Sequence, residues 1–130
     1  GVYFHPKENK LRIYMNTMNE TMEYVDVSNV PMKKWIHLGV VLKGNRLEIY
    51  FNGKLRTVKT FTSVPRQNYG KLWINLFGGF EGYLSKFRYF NYALDYMEML
   101  KIVKQGPSSN NCIDTDEVPP YLNDSWWFNL

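Results

Sequence analysis

The pattern of hydrophobic and polar positions is clearest in residues 35–55, where it predicts two strands joined by a tight turn. Leu47, Ile49 and Phe51 alternate with less apolar residues, which is the period-two signal of a strand with one buried face. Residues 35–42 are almost continuously apolar, as in a strand covered on both faces. This meander is therefore predicted to be the centre of a two-layered β core.

Turn residues support the same hairpins. Gly44 lies between the two strands and Asn52-Gly53 follows the second, and both positions suit the positive φ angles of short hairpin loops. Further strands are predicted at residues 2–5, 11–15, 22–27, 54–61, 71–77 and 83–91. In the strand at 54–61, Leu55 and Thr57 are expected to share one face, with Lys59 as a further candidate for that face.

One helix is well indicated. Asp95 is a suitable N-cap with Glu98 three residues later, and Gly106-Pro107 forms a typical stop signal. A helix of about ten residues has little stability alone, so it is expected to pack on the sheet.

Composition changes this picture in two ways. Aromatic residues make up 17% of the chain, which favours β structure and raises the chance of an aromatic binding surface. Cys112 is the single cysteine, so no disulfide forms within the chain and a reducing compartment is expected.

The sequence has no apolar run that predicts a membrane-spanning helix. Since the chain starts at Gly1 in a strand-like run, we expect it to be the C-terminal part of a longer protein, in which an upstream anchor is possible.

Two blocks of sequence resemble a known family. Trp35-x-His37-Leu-Gly-x-Val with residues 47–55, and Gly79-Phe80-x-Gly82 with residues 83–98, resemble laminin-G-like, concanavalin-A-type jelly-roll domains. The resemblance implies an all-β antiparallel sandwich with one short C-terminal helix. Such a jelly roll has more strands than are recognised here, which predicts either missing N-terminal strands or an abbreviated sandwich. We expect the sandwich at residues 1–106 and an extension with a docked aromatic end at 107–130.

A narrower resemblance concerns structural proteins of large DNA viruses. It lies in Val30-Pro31 and in residues 64–70, 75–80, 119–121 and 126–127. It implies a minor capsid or virion-associated protein, made in the host cytoplasm and bound to other virion or capsid proteins.

The sequence does not favour catalysis. Glucanases related to this fold carry two carboxylates on one strand face, whereas Glu48, Glu81 and Glu98 are isolated in sequence. His37 matches a structural histidine of the family, so a packed, hydrogen-bonded core role is favoured over catalysis, and Trp35 is expected in the core beside it. We predict no enzymatic activity and no cofactor.

Binding residues are predicted in two places. Tyr69, Trp73 and Asn75 combine aromatic faces with an amide, as in glycan sites, although the same face would also suit a protein contact. Trp73 and Asn75 are expected on the strand face opposite Leu72, Ile74 and Leu76. The predicted protein interface consists of Trp126, Trp127 and Phe128.

Two other ligands are less favoured. Asp114, Asp116 and Glu117 suit calcium, but they lack EF-hand spacing and a solvated loop is the simpler interpretation. Basic residues such as Lys54, Arg56 and Lys59 could contact phosphates, but protection of a sheet edge explains them better. We therefore predict a structural or interaction module of a virus particle, with a carbohydrate-binding module as the alternative, and no nucleic-acid or membrane contact from this segment.

Overall fold

The computed structural model describes residues 1–19, 21–73 and 79–109. These residues form two three-stranded antiparallel sheets and one helix. The elements are β1 (Val2–Phe4), β2 (Lys10–Asn16), β3 (Met22–Ser28), β4 (Leu38–Lys43), β5 (Arg46–Phe51), β6 (Lys54–Thr60) and α1 (Tyr96–Gln105).

The first sheet has the order β1–β2–β3. Its register pairs Leu11 with Val27 and Ile13 with Val25, so one face of β2 and β3 is continuously apolar. All four side chains are at most 8% exposed. The alternation along β2 and β3 therefore places one face of this sheet in the core.

The second sheet is the predicted meander, in the order β4–β5–β6. Gly44 at φ 59° forms the first turn, and Asn52 and Gly53 at φ 53° and 79° form the second. Leu47, Ile49 and Phe51 face the core and are at most 6% exposed. The hairpin prediction is confirmed, because these turn residues adopt the left-handed backbone that short hairpin loops require.

A β-bulge interrupts the pairing of β5 with β6. Ile49 pairs with Thr57 but Tyr50 pairs with Leu55, so Arg56 is the extra residue. The bulge turns Leu55 to the face opposite Thr57 and Lys59, and Leu55 is 51% exposed. The prediction that Leu55 shares a face with Thr57 was wrong, because the one added residue reverses the alternation.

The core lies between the sheets. It contains Leu11, Ile13, Val25, Val27 and Val30 from the first half of the chain and Leu47, Ile49, Phe51 and Phe61 from the second. The two sheets therefore form a two-layered sandwich, as predicted.

Strand β4 differs from its prediction in where it begins and in how far it is buried. It begins at Leu38, so Trp35 lies in the irregular segment before it and is 52% exposed. Val40 and Leu42 are 38% and 37% exposed, so β4 is not covered on both faces. Their side chains point toward the core layer, but β4 is an edge strand of its sheet and its neighbours cover them only in part.

Two predicted strands do not form in the described residues. Residues 71–73 and 83–91 are irregular, and Leu72, expected to face inward, is 69% exposed. A strand needs a hydrogen-bonded neighbour, and within the described ranges these segments make no backbone pairing. Residues 74–77 of the first predicted strand lie outside the described residues.

Helix α1 forms as predicted. The Asp95 carboxylate accepts a hydrogen bond from the Glu98 amide at 2.8 Å, and Gly106 at φ 65° ends the helix. Met99 is 2% exposed and packs beside Gly39 of β4. Gly39 pairs with Tyr50, so the helix covers the face of the second sheet that points away from the core.

Candidate functional site

Two of the predicted glycan-contact residues are prominently exposed. Tyr69 is 89% exposed and Trp73 is 65% exposed, and the Tyr69 hydroxyl donates to the Gln67 side-chain carbonyl at 3.4 Å. Trp73 does not lie on a strand. Four other predicted site residues lie outside the described residues: Asn75, Trp126, Trp127 and Phe128. Ligand or partner contact by all these residues stays a prediction.

A larger group of exposed rings comes from the irregular segment before the helix. Tyr83 and Tyr89 are 86% and 85% exposed, and the rings of Trp35 and Tyr83 lie 6.5 Å apart. We give the name aromatic surface to these rings together with Trp35, which precedes β4; its members are Trp35, Phe80, Tyr83, Phe87, Tyr89 and Tyr92. The contact shown among these rings is that of Trp35 with Tyr83, and exposed aromatic side chains of this kind are suited to burial by a partner.

A third group lies on the outer face of the first sheet, and we call it the tyrosine face. Register pairs Tyr3 with Arg12, Arg12 with Asp26 and Tyr14 with Tyr24, so all five side chains point away from the core. The Tyr14 ring lies 5.7 Å from that of Tyr3 and 5.8 Å from that of Tyr24. Three adjacent strands thus build a row of tyrosines around one ion pair.

Arg12 and Asp26 form the polar centre of the tyrosine face. Arg12 donates from Nε to Oδ1 at 2.6 Å and from Nη2 to Oδ2 at 2.7 Å. The guanidinium also lies over the Tyr24 ring at 4.2 Å. These hydrogen bonds from Arg12 lower the pKa of Asp26, because they stabilise its charged form. The arginine is therefore held in one orientation between a carboxylate and a ring.

An open depression of about 290 Å³ adjoins this centre. We call it the notch; its lining residues are Tyr3, Phe4, His5, Pro6, Arg12 and Tyr14. The rings of Tyr3 and Tyr14 meet at 72° and form two of its walls. The notch thus joins aromatic walls to polar groups at the edge of the sheet.

The outer face of the second sheet carries a buried carboxylate. The side chain of Glu48 is 8% exposed; it accepts from the Tyr50 hydroxyl at 2.6 Å and pairs with Arg46 at 3.2 Å. This hydrogen bond raises the pKa of Tyr50. Lys43 lies 3.9 Å away. Because its charge is compensated on several sides, Glu48 has a structural role in this sheet.

His37 is half-buried, but not in the way the sequence suggested. Its Nδ1 is buried and has no hydrogen-bond partner within the described ranges. The backbone of His37 instead exchanges two hydrogen bonds with Asn52. Burial, together with the charge of Arg88, lowers the pKa of His37. The expectation of a hydrogen-bonded imidazole was wrong for Nδ1, since at this position the backbone makes the contacts.

Across residues 1–19, 21–73 and 79–109, no three His, Cys, Asp or Glu side chains cluster in a way that could hold a metal ion. The acidic residues considered for calcium, Asp114, Asp116 and Glu117, lie outside those ranges. None of the helices described there is long and apolar enough to cross a membrane.

The tyrosine face was not predicted from the sequence. Its signal was present, since Arg12 and Tyr14 alternate with core residues in one predicted strand and Tyr24 and Asp26 do so in the next. Only the register, which sets the arginine opposite the aspartate, shows that they form one group.

The family of the chain follows from a comparison of sequences. A laminin G model of the concanavalin A-like lectin/glucanases superfamily matches residues 1–98. The chain belongs to this superfamily. Membership agrees with the two antiparallel sheets and the short helix, so the predicted fold class is confirmed. Lectin-type domains of the concanavalin A-like superfamily are generally non-catalytic, and membership fits a binding module.

Comparison of structures gives a distant neighbour of this concanavalin A-like domain. It is the crystal structure of residues 221–444 of an S-layer domain-containing protein from Clostridium thermocellum, with a TM-score of 0.45 and 17% identity. The similarity covers 79% of this chain and 61% of that one, so the chain spans about three fifths of its neighbour. No curated protein matches the sequence.

Proposed function

We propose that this domain is a non-catalytic binding module that acts through protein–protein contacts. The observation that carries the proposal is the aromatic surface, whose most exposed rings, Tyr83 and Tyr89, are 86% and 85% exposed. Aromatic side chains dominate the energetics of protein interfaces, and burial of such rings by a partner is strongly favourable. A surface of this kind fits the contact area of a binding module.

The non-catalytic part of the proposal is supported by the carboxylates of the sheets. Asp26 is held by Arg12, Glu48 by Tyr50 and Arg46, and the Glu23 side chain accepts from the amide and hydroxyl of Thr62. Each of these three carboxylates therefore has a structural partner within the fold.

The setting that we propose is the particle of a large DNA virus, with other virion or capsid proteins as partners and synthesis in the host cytoplasm. The support is the sequence resemblance described above, together with a single cysteine, Cys112, which suits a reducing compartment.

The test is incorporation of the protein into assembled particles. The double variant Tyr83→Ser/Tyr89→Ser should reduce the amount of protein that co-sediments with purified particles, while its circular dichroism spectrum remains that of the parent. Met18→Ser is the control, because it removes an exposed apolar side chain outside the aromatic surface and outside the predicted glycan site. If the double variant is incorporated as well as the control, the aromatic surface is not the interface. If the protein is missing from particles, the viral setting is wrong.

A second candidate function is carbohydrate binding, favoured by the exposure of Tyr69 and Trp73. An exposed aromatic ring can stack on the apolar face of a sugar. In this case the protein should bind defined oligosaccharides on a glycan array, and Trp73→Ala should abolish that binding whereas Tyr89→Ala should preserve it. Absence of binding to any glycan would exclude this candidate.

A further inference from the structure

We infer that residues 110–130, which we call the acidic segment, fold back along the free edge of β4 and add a strand to the second sheet. The inference goes beyond the proposed function, because it concerns the open side of the sandwich rather than the aromatic surface. It gives a position to the docked aromatic end that the sequence predicts. It rests on the edge of β4 and on the distribution of charge along the chain.

The sandwich is open on the side where β1 and β4 lie. Arg56 of β6 donates to the carbonyl of Ser28 at the end of β3, so these two strands meet on one side and the strand orders leave β1 and β4 on the other. Four side chains there face the core layer but are 37–49% exposed: Val2, Phe4, Val40 and Leu42. The residues paired with them are at most 3% exposed: Leu11, Ile13, Leu47 and Ile49. Within the described ranges, the core therefore lacks cover on this side.

The backbone of β4 is open at the same edge. The His37 carbonyl accepts from the Asn52 amide at 2.9 Å, and hydrogen-bonded pairs alternate from there along the ladder with β5. The residues that direct N–H and C=O away from β5 are therefore Leu38, Val40 and Leu42, and we call their N–H groups the edge amides. In the part of the chain that the structure describes, β5 is the sole strand paired with β4. Such a row of unpaired groups is a template for another strand.

The edges of β1 and β6 are protected, whereas the edge of β4 is not. Strand β1 has three residues, and β6 carries a bulge and the basic residues Lys54, Arg56 and Lys59. Strand β4 has six residues, of which Lys43 at its end is the charged one. A regular, apolar edge of this length is expected to be paired or covered.

The distribution of charge favours the acidic segment as the cover. All 16 Lys and Arg residues of the chain lie in residues 1–109. The acidic segment has none, and its charged side chains are Asp114, Asp116, Glu117 and Asp124. The edge of β4 lies between exposed lysines, with Lys33 and Lys34 before it and Lys43 at its end. Carboxylates of the acidic segment can therefore pair with cations at both ends of this edge.

A second copy of the chain fits this edge less well. Lys33 and Lys34 form no ion pair within the described residues. Antiparallel pairing of two β4 edges would bring Lys43 of each copy toward these lysines of the other. Like charges that meet across a pair of strands are destabilising. The lysines thus oppose a symmetric pair and favour an acidic strand.

The aromatic residues of the acidic segment suit a strand that is covered on both faces. In a strand, Trp126 and Phe128 would share one face and Trp127 would occupy the other. The position beside β4 has the open core layer on one side, and on the other α1, which packs beside Gly39. The acidic segment spans about 70 Å when extended, and β4 is about 20 Å long. Residues 126–128 can therefore reach the edge of β4.

The test is amide hydrogen exchange of the whole ¹⁵N-labelled chain, followed by NMR at constant pH. The edge amides should be protected in the parent, because the added strand accepts hydrogen bonds from them. In the variant Trp126→Ser/Phe128→Ser they should lose this protection, whereas the amides of Gly39 and Val41, which point toward β5, should keep it. Met18→Ser, which removes an exposed apolar side chain after β2, is the control and should exchange as the parent does.

A spin label locates the acidic segment without removal of an aromatic residue, and it decides the matter if the double variant is poorly folded. The variant Cys112→Ser/Ser125→Cys has one cysteine, at position 125, to carry a nitroxide. The label should broaden the amide signals of β4 more than those of β6 at the opposite edge of the sheet. In a mixture of labelled ¹⁴N protein with unlabelled ¹⁵N protein, β4 signals should stay sharp, because the contact lies within one molecule.

Four outcomes would overturn the inference. They are edge amides without protection in the parent, protection that the double variant retains, and a label that broadens β6 as much as β4. The fourth is broadening in the mixture, which would assign the edge to a second copy. Particle incorporation through Tyr83 and Tyr89 is a separate measurement, so failure of this inference and failure of the proposed function are distinguishable.

Discussion

At the scale of single residues, the carboxylates on the outer faces of the two sheets are compensated differently. Asp26 is held by two hydrogen bonds from one guanidinium and remains partly exposed. Glu48 is nearly buried and divides its bonds between the Tyr50 hydroxyl and Arg46. The contribution of Asp26 to stability should therefore depend on the charge of its carboxylate. The contribution of Glu48 should depend on its role as a hydrogen-bond acceptor.

Asp26→Asn should destabilise the protein at neutral pH but not in acid. The pKa of Asp26 is lowered by Arg12, so its contribution is complete above the ordinary value of 3.8 and is lost as the pH falls through the lower folded value. Urea unfolding at a series of pH values measures the effect: the difference between parent and variant should narrow below pH 3.8. Glu81→Gln, at an exposed carboxylate outside the sheets, is the control. A difference independent of pH would contradict the prediction.

Glu48→Ala should cost about 1–3 kcal/mol of unfolding free energy, because the Tyr50 hydroxyl and Arg46 lose a nearly buried acceptor. Glu48→Gln keeps an acceptor and should cost less. Urea unfolding of both variants in the parent and in a Tyr50→Phe background isolates the hydrogen bond. If the two substitutions cost the same in both backgrounds, the acceptor has no role in stability.

At the scale of elements, the helix is positioned by close approach to two glycines of the second sheet. A Cβ atom at Gly39 would lie 3.0 Å from Met99 Cε, and one at Gly53 would lie 2.9 Å from Leu100 Cδ2. Both positions lack a side chain, so α1 can lie directly on the sheet. Helix α1 is short, and this packing supplies the stability that it lacks alone.

Gly53→Ala should destabilise the protein more than Gly44→Ala. Both glycines have positive φ, at 79° and 59°, so both substitutions carry a backbone cost of about 1 kcal/mol. Only at Gly53 does the new methyl group also meet the helix, since nothing lies within 4 Å at Gly44. Thermal unfolding compares the two, and in a Leu100→Ala background the difference should disappear. Equal effects in the parent background would show that the helix contact carries no energy.

The elements differ in how far local sequence determines them. Asp95 and Gly106 define the helix because capping depends on residues within one turn, and Asn52-Gly53 defines a hairpin for the same reason. No local sequence pattern predicts the bulge at Arg56, because the bulge arises from the way in which β5 and β6 pair with each other. The strand predicted at residues 83–91 also rested on local sequence, but a strand requires a hydrogen-bonded neighbour as well.

At the scale of the whole molecule, the two sheets are joined by polar contacts near β3 and β6. The Arg56 guanidinium donates to the carbonyls of Ser28 and Asn29 at 3.0 and 3.3 Å and lies 5.6 Å from the Phe51 ring. Glu23, near the other end of β3, accepts from Thr62, which follows the end of β6. Arg56 was expected to protect a sheet edge; the structure adds that it links the layers.

Arg56→Ala should loosen the junction of the two sheets. Loss of its hydrogen bonds to backbone carbonyls should cost about 1 kcal/mol and speed hydrogen exchange in β3 and β6 more than in β1. Lys54→Ala removes an exposed charge from the same strand and is the matched control. Uniform acceleration across both sheets, or an equal effect of the control, would contradict a local role.

The candidate sites show the same limit on prediction. Tyr69 was predicted in a loop and Trp73 on a strand face; the structure places both at the surface, with Trp73 in an irregular segment. The tyrosine face depends on pairing between strands, so Arg12 and Asp26 could be recognised as a unit only once the register was known. The aromatic surface depends on rings such as Tyr83 and Tyr89 that find no cover, which no local pattern reports.

The bulge at Arg56 also determines where the chain can change in length. Strand β6 carries one residue more than the part of β5 it faces, so deletion of position 56 would restore a regular ladder between Tyr50–Leu55 and Ile49–Thr57. A deletion elsewhere in β5 or β6 would shift the register and turn core residues toward water. In this hairpin, position 56 is therefore the point at which a gene could lose a codon and still encode the same core.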